Sequence, residues 1–138
     1  NEPRTALTVH LRTSETGPLL RFTSTHLAQG RNSEDRLIQA RHLNELLVSD
    51  DEHPSILAGD LNARPGSETM EIFDAHWTNA AAAGPPQTMP TGRRRSRGDH
   101  VLFKPAESWR VIESRVIDDR LASDHRPLLI VLEWIGGP

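Results

Sequence analysis

A short apolar run, Ser55-Ile56-Leu57-Ala58-Gly59, limits what this chain can become more than any other feature. Turn formers bound it on both sides, Asp50-Asp51-Glu52-His53-Pro54 before and Asp60-Leu61-Asn62 after. An apolar run of strand length with no polar alternation is the pattern of a strand buried on both faces. Such a strand needs neighbours in its own sheet and covering layers. One covering layer stands just ahead of it. Leu37, Ala40, Leu43, Leu47 and Val48 fall on a helical arc of about 140°. Asn32 or Ser33 can cap that helix, and Glu34 and Asp35 suit the positive end of its first turn.

The remaining segments supply the neighbours. Leu7, Val9 and Leu11 alternate with polar residues from Thr5 to Arg12, and a second run from Leu19 to Thr25 follows the turn Ser14-Glu15-Thr16-Gly17-Pro18, so the two form a β-hairpin. After Pro65-Gly66-Ser67 a short helix runs to about Ala75, with Glu68 and Glu71 near its start. Ala80 to Gly98 reads as loop, with Pro85, Pro86 and Pro90 in it, and leads to three further strands: His100 to Phe103, Trp109 to Ile117 and Pro127 to Trp134. No internal repeat is present. The pattern predicts an α/β fold, a mixed β-sheet with helices on one face.

A chain of 138 residues has room for one modest core. Its composition, 36% hydrophobic and 25% charged, is that of a folded chain. Three Trp, three Phe and no Tyr leave few platforms for stacking bases, which disfavours a sequence-blind single-strand binder. A net charge of −3 gives no global attraction to polyanions, so phosphate recognition has to be local. The lack of cysteine removes thiolate metal sites and thiol nucleophiles. No apolar run approaches the roughly 18 residues of a membrane span.

Three strand ends in succession carry candidate chemistry: Thr25-His26-Leu27, Gly59-Asp60-Leu61-Asn62 and Ser123-Asp124-His125. Strand ends beyond an apolar run are where α/β proteins place their sites. In extended backbone, Asp60 and Asn62 leave the same side of the chain, and both are hard oxygen donors suited to Mg²⁺ or Mn²⁺. The same D-x-N sequence also makes ordinary side-chain-to-backbone turns, Ser-Asp before a strand is a common turn, and His26 could be a satisfied core histidine. His10, His42, His53 and His76 show no partner pattern. The Arg93-Arg94-Arg95-Ser96-Arg97 run is either a solvated loop or a phosphate-holding rim beside Asp99.

Order and spacing join these signals. His26, the helix with Arg36, Gln39 and Ala40, then Ile56 to Ser67, then Arg97-Gly98-Asp99-His100-Val101-Leu102, then Ser123-Asp124-His125-Arg126-Pro127 together resemble the carboxy-terminal half of the endonuclease/exonuclease/phosphatase (DNase I-like) superfamily. That superfamily includes DNase I-like nucleases, abasic-site endonucleases, bacterial sphingomyelinases and inositol polyphosphate 5-phosphatases. The resemblance implies a divalent-metal-dependent phosphoesterase. His26 matches the histidine at the scissile phosphate, Asp60 and Asn62 the pair that orients water and phosphate, and Asp99 the partner of the motif histidine, His125. Asp124 matches a carboxylate at or near the metal, so Asp60, Asn62 and Asp124 are the expected ligands of a weakly held Mg²⁺ or Mn²⁺. Two positions depart from the pattern: Gly98 replaces an apolar residue, which is expected to loosen the strand aiming Asp99, and His100 replaces an aromatic one.

The resemblance also implies an absence. The family's first half supplies an Asn and a Glu to the metal, and Glu2 has no matching context. The chain therefore reads as half of a four-layer α/β/β/α sandwich, residues 1–138 forming a single half-domain whose sheet presents a bare apolar face. A homodimer through that face is expected, with Val131 and Ile117 as candidate face residues. The alternative is a non-catalytic half-domain or gene fragment that acts only by association, with itself or with a complementary first-half chain. The motifs fix a phosphate ester and leave nucleic acid, phospholipid and inositol phosphate open as the rest of the substrate.

Overall fold

The computed structural model describes residues 3–12, 14–30, 33–49, 52–81, 88, 97–119 and 121–136. Asn32, Pro85, Pro86, Pro90 and the Arg93-Arg94-Arg95-Ser96 run lie outside the described residues. The elements in order are β1 (Ala6–Arg12), β2 (Leu19–His26), α1 (Glu34–Val48), β3 (Ser55–Asp60), α2 (Glu68–Asp74), β4 (Thr78–Asn79), β5 (Asp99–Lys104), β6 (Trp109–Val116) and β7 (Leu128–Trp134), with a 3₁₀ turn at Ala106–Ser108.

The central apolar run is a central strand, as its sequence requires. β3 pairs in parallel with β2 on one side and antiparallel with β5 on the other, in a mixed five-stranded sheet of order β1-β2-β3-β5-β4. Alternation sorts its side chains: Ser55 and Leu57 are buried beneath the helices, while Ile56 and Ala58 line the opposite face. On the helix side Leu57 and Leu102 meet Ala40, Leu43 and Leu47 of α1 and Met70 and Phe73 of α2, with Trp77 closing the core. The Trp77 indole N–H donates to Asn44 Oδ1 at 2.9 Å, which satisfies two polar groups that the core would otherwise bury unpaired. Ser33 occupies the N-cap position of α1 in helical backbone and makes no side-chain cap bond, so the expected cap is absent there. Among the described residues, no helix is long and apolar enough to cross a membrane.

The three later strands do not join one sheet. β4, a two-residue strand too short to announce itself in sequence, pairs with Leu102 and Phe103 and takes the free side of β5. With both sides of β5 occupied, β6 and β7 form a separate antiparallel ribbon. Trp109 packs near Phe103, and its ring meets Trp134 edge-on at 5.0 Å, which anchors one end of the ribbon beside the sheet. Ile130, Leu132 and Trp134 then face Leu20, Phe22, Ile56 and Val101 across an open apolar cavity of about 610 Å³.

The face opposite the helices is thus covered in part. Leu7, Val9 and Leu11 lie opposite Ser24, Phe22 and Leu20 in the β1–β2 ladder, hence on the same face, and are 67%, 40% and 44% exposed. Val131 does not belong to that surface. It pairs with Glu113 on the outward side of the ribbon, beside the Arg110–Glu133 ion pair at 3.0 Å, because strand alternation turns Ile130 and Leu132 inward. Ile117 lies just beyond the end of β6.

Candidate active site

Register alone gathers three of the expected residues. His26 of β2 pairs with Asp60 of β3, and Asp60 pairs with Asp99 of β5, so the three stand in one row across adjacent strands. Behind them, on the same face, follow Ser24, Ala58 and Val101 and then Phe22, Ile56 and Phe103. A polar row thus caps an apolar face at one edge of the sheet. The loop before β7 brings His125 over that row, and its Nδ1 lies 2.9 Å from Asp99 Oδ2.

Each carboxylate oxygen of Asp60 has a separate neighbourhood. Oδ1 accepts the Asn62 N–H at 2.9 Å. Oδ2 lies 3.4 Å from His26 Nε2 and 4.0 Å from His125 Nε2. One side chain thus makes the turn's hydrogen bond with one oxygen and faces both imidazoles with the other. Asn62 itself adopts a left-handed backbone with φ 48°, so it does not share the extended geometry expected for a carboxylate and carboxamide pair. Its Nδ2 donates instead to the Leu27 carbonyl at 3.0 Å. The His26 side chain is 55% exposed, which is not the environment of a core histidine.

Asp60, Asp99 and His125 offer ligand atoms that all lie within 4.8 Å of one another. This trio differs from the expected set of Asp60, Asn62 and Asp124. Turning the His125 ring inward leaves its neighbour Asp124 on the exposed side of the loop, where it meets the Ser123 hydroxyl at 3.4 Å. The adjoining cleft, about 320 Å³, is lined by Gly59, Asp60, Asp99, Ser123, His125 and Arg126 among others. Arg126 had no role on sequence grounds. Its place next to the Ser-Asp-His run was the available signal, and it sits in the cleft with its guanidinium 3.3 Å from Asp118. Arg97 is buried and donates to the Ala81 carbonyl at 2.5 Å, so it is not a rim arginine.

Both departures from the expected pattern have structural explanations. A Cβ on Gly98 would stand 2.7 Å from Asp60 Oδ1, and the Gly98 carbonyl accepts the Leu61 N–H at 2.8 Å. Glycine here permits close approach to Asp60, and the strand that aims Asp99 is held rather than loosened. His100 is buried, with Nε2 donating to the Ala63 carbonyl at 2.8 Å and Nδ1 accepting from Asn79 Nδ2 at 3.1 Å. Burial keeps it below the ordinary histidine pKa, consistent with a neutral ring that ties β4 and β5 to the segment after β3 through Ala63.

His125 is shifted the other way. Burial pulls its pKa down, but the Asp99 hydrogen bond and the charges of Asp99, Asp60 and Asp124 outweigh it, and the net shift is upward from 6.5. A folded-state value above the unfolded one adds stability that is complete below the unfolded pKa and disappears as pH rises through the folded value. In metal-free protein the His125 ring should therefore titrate above 6.5, read from its Cε1–H resonance. A midpoint at or below that value contradicts the Asp99 pairing.

The sequence profile of the Endonuclease/Exonuclease/phosphatase family matches residues 2–125. No curated protein matches. Among solved structures, an endonuclease/exonuclease/phosphatase from Beutenbergia cavernae is 29% identical, with a TM-score of 0.72 over 95% of this chain and 39% of that one. The human nocturnin catalytic domain, solved with a bound sulfate anion, is 22% identical, with a TM-score of 0.80 over 95% of this chain and 53% of its own. A mannosyl-6-phosphatase from Bacteroides thetaiotaomicron is 22% identical, with a TM-score of 0.76 over 96% and 58%. The chain thus spans about half the length of these structures. With a fold, an ordered set of motifs and a family profile in agreement, the chain belongs to the endonuclease/exonuclease/phosphatase family.

Proposed function

We propose that this chain carries one half of a divalent-metal-assisted phosphoester hydrolase site, residues 1–138 being a single half-domain of the family fold. The supporting observation is the row of His26, Asp60 and Asp99 in register across three strands, with the His125 ring bonded to Asp99 above it. In this reading Asp99 accepts the Nδ1–H of His125, which fixes the tautomer and directs Nε2 toward Asp60. Asp60 Oδ2, set between two imidazoles, orients the attacking water. His26 places positive charge or an N–H donor where the phosphate oxygens gain charge, while His125, giving its Nδ1–H to Asp99, offers the lone pair of Nε2 as a base or metal donor. Asn62 holds the turn that aims His26, and Asp124 adds negative charge at the rim.

Two carboxylates and an imidazole with converging donor atoms fit Mg²⁺ or Mn²⁺. Such an ion supplies charge to the phosphoryl oxygens. Three protein donors are fewer than an octahedral ion takes, so binding is expected to be weak, on the order of millimolar. The phosphate-ester class also accords with the neighbours: a mannosyl-6-phosphatase, a catalytic domain holding sulfate, and a Danio rerio TDP2 structure with a single-strand DNA product. The test is release of nitrophenol from a chromogenic phosphodiester. Turnover that requires Mg²⁺ or Mn²⁺ and stops with chelator is the expected result. A folded sample with no turnover at tens of millimolar metal contradicts catalysis by the chain alone and favours the association reading.

That second reading is favoured by the exposed Leu7, Val9 and Leu11. We propose that a second copy covers this face in a homodimer, since a two-fold contact lets one apolar patch bury itself. Sedimentation equilibrium at micromolar concentration should give a dimer, and Val9→Asp should convert it to monomer or aggregate. A monodisperse species of 15.4 kDa from the unaltered chain contradicts it.

A further inference from the structure

The two residues that follow His26 leave the sheet, and strand ends released in this way fray unless their peptide groups find partners. Here every backbone polar group of both residues has one. The Leu27 N–H donates to the Asp60 carbonyl at 3.0 Å, and the Leu27 carbonyl accepts from Asn62 Nδ2 at 3.0 Å. The Ala28 N–H donates to Gln39 Oε1 at 2.8 Å, and the Ala28 carbonyl accepts from Arg36 Nη1 at 3.3 Å. Gln39 and Arg36 lie one turn apart on α1, so a single rigid helix grips both sides of one peptide residue. Arg36 Nε also reaches Thr69 Oγ1 of α2 at 3.4 Å, which ties the grip to the second helix.

We infer that Gln39 and Arg36 are positioning residues for His26, acting through the Ala28 peptide. Leu27 is buried, so the short link from Ala28 back to His26 cannot pivot freely. The His26 ring is exposed, with Asp60 Oδ2 at 3.4 Å as a charged neighbour. Side-chain contact alone does little to hold an exposed imidazole, and its backbone anchor decides where it points. Removing the acceptor at position 39 strands the Ala28 N–H and lets the end of β2 move, carrying the ring away from the cleft. The consequence for phosphate contact rests on the phosphoester reading above, whereas the consequence for the backbone does not.

The test compares Gln39→Met, which keeps length and loses the acceptor, with Gln39→Glu, which keeps an acceptor oxygen. Two readouts separate local positioning from general stability. In Gln39→Met the Ala28 amide should exchange at least about tenfold faster while core amides such as Phe73 and Leu102 are unchanged, and Gln39→Glu should restore slow exchange. In a titration with inorganic phosphate followed on the His26 ring, Gln39→Met should weaken the response at least about threefold and Gln39→Glu should recover it. Unchanged Ala28 exchange in Gln39→Met, or no recovery in Gln39→Glu, overturns the inference. A His26→Ala variant that leaves the remaining phosphate-induced shifts intact, or a wild type that shows none, counts instead against the phosphoester reading, and the exchange data still decide the clamp.

Discussion

Gly59→Ala is expected to cost a large share of the fold's stability. Gly59 has φ +152°, a conformation that L side chains rarely adopt, and a Cβ there would lie 1.9 Å from the Thr25 carbonyl oxygen. The obstacle is backbone of the paired strand, so it cannot rotate aside as a side chain would. Relief requires β2 and β3 to separate at the Thr25–Gly59 pair, one residue from the His26–Asp60 pair. Strain in φ and overpacking each cost about 1 to 3 kcal/mol, so a loss of about 3 kcal/mol or more is expected. Against a total stability of roughly 5 to 15 kcal/mol that is a large share. Chemical denaturation measures it, and a loss below about 1 kcal/mol contradicts the close approach at Gly59.

Asp60→Asn should do the reverse, sparing the fold and removing the chemistry. Asparagine keeps an acceptor for the Asn62 N–H, so the turn after β3 persists. The negative charge at Oδ2, between the two imidazoles, is lost, and with it one of three converging metal donors. On the phosphoester reading proposed above, metal-dependent phosphodiester hydrolysis should fall on the order of 10³-fold or more, with thermal stability nearly unchanged. Activity within tenfold of the unaltered protein removes Asp60 from the reacting centre.

What the sequence disclosed follows from the range of the interactions. The β1–β2 hairpin and α1 were legible because their side chains repeat with periods of two or 3.6, and β3 because a short apolar run is bounded by turn formers, all of which are local properties. The row of His26, Asp60 and Asp99 depends on a parallel and an antiparallel register between segments dozens of residues apart, which periodicity does not encode. Ordered motifs resembling a family brought these residues together where pattern could not. Asn62 escaped for a different reason: two residues after a strand, a carboxylate that accepts its own turn's N–H draws the backbone into the left-handed region and sends the amide to Leu27. The separation of β6 and β7 turned on β4, whose two residues carry no periodic signal. Gly98 looked like a weak point because a glycine in a strand costs entropy, but its neighbour Asp60 leaves no room for a side chain. Gln39 and Arg36 belonged to the recognised pattern, but their hold on Ala28 emerged only from the fold.

The central claim, that strands β2, β3 and β5 and the loop before β7 converge on one divalent-metal and phosphate site, is tested most directly by paramagnetic broadening. Mn²⁺ added well below one equivalent to ¹⁵N-labelled protein should broaden the resonances of Asp60, Asp99 and His125 first and those of His26 next. The effect should saturate only at about millimolar metal and vanish in Asp60→Asn. Broadening centred elsewhere, or broadening at these residues that persists unchanged in Asp60→Asn, contradicts the site.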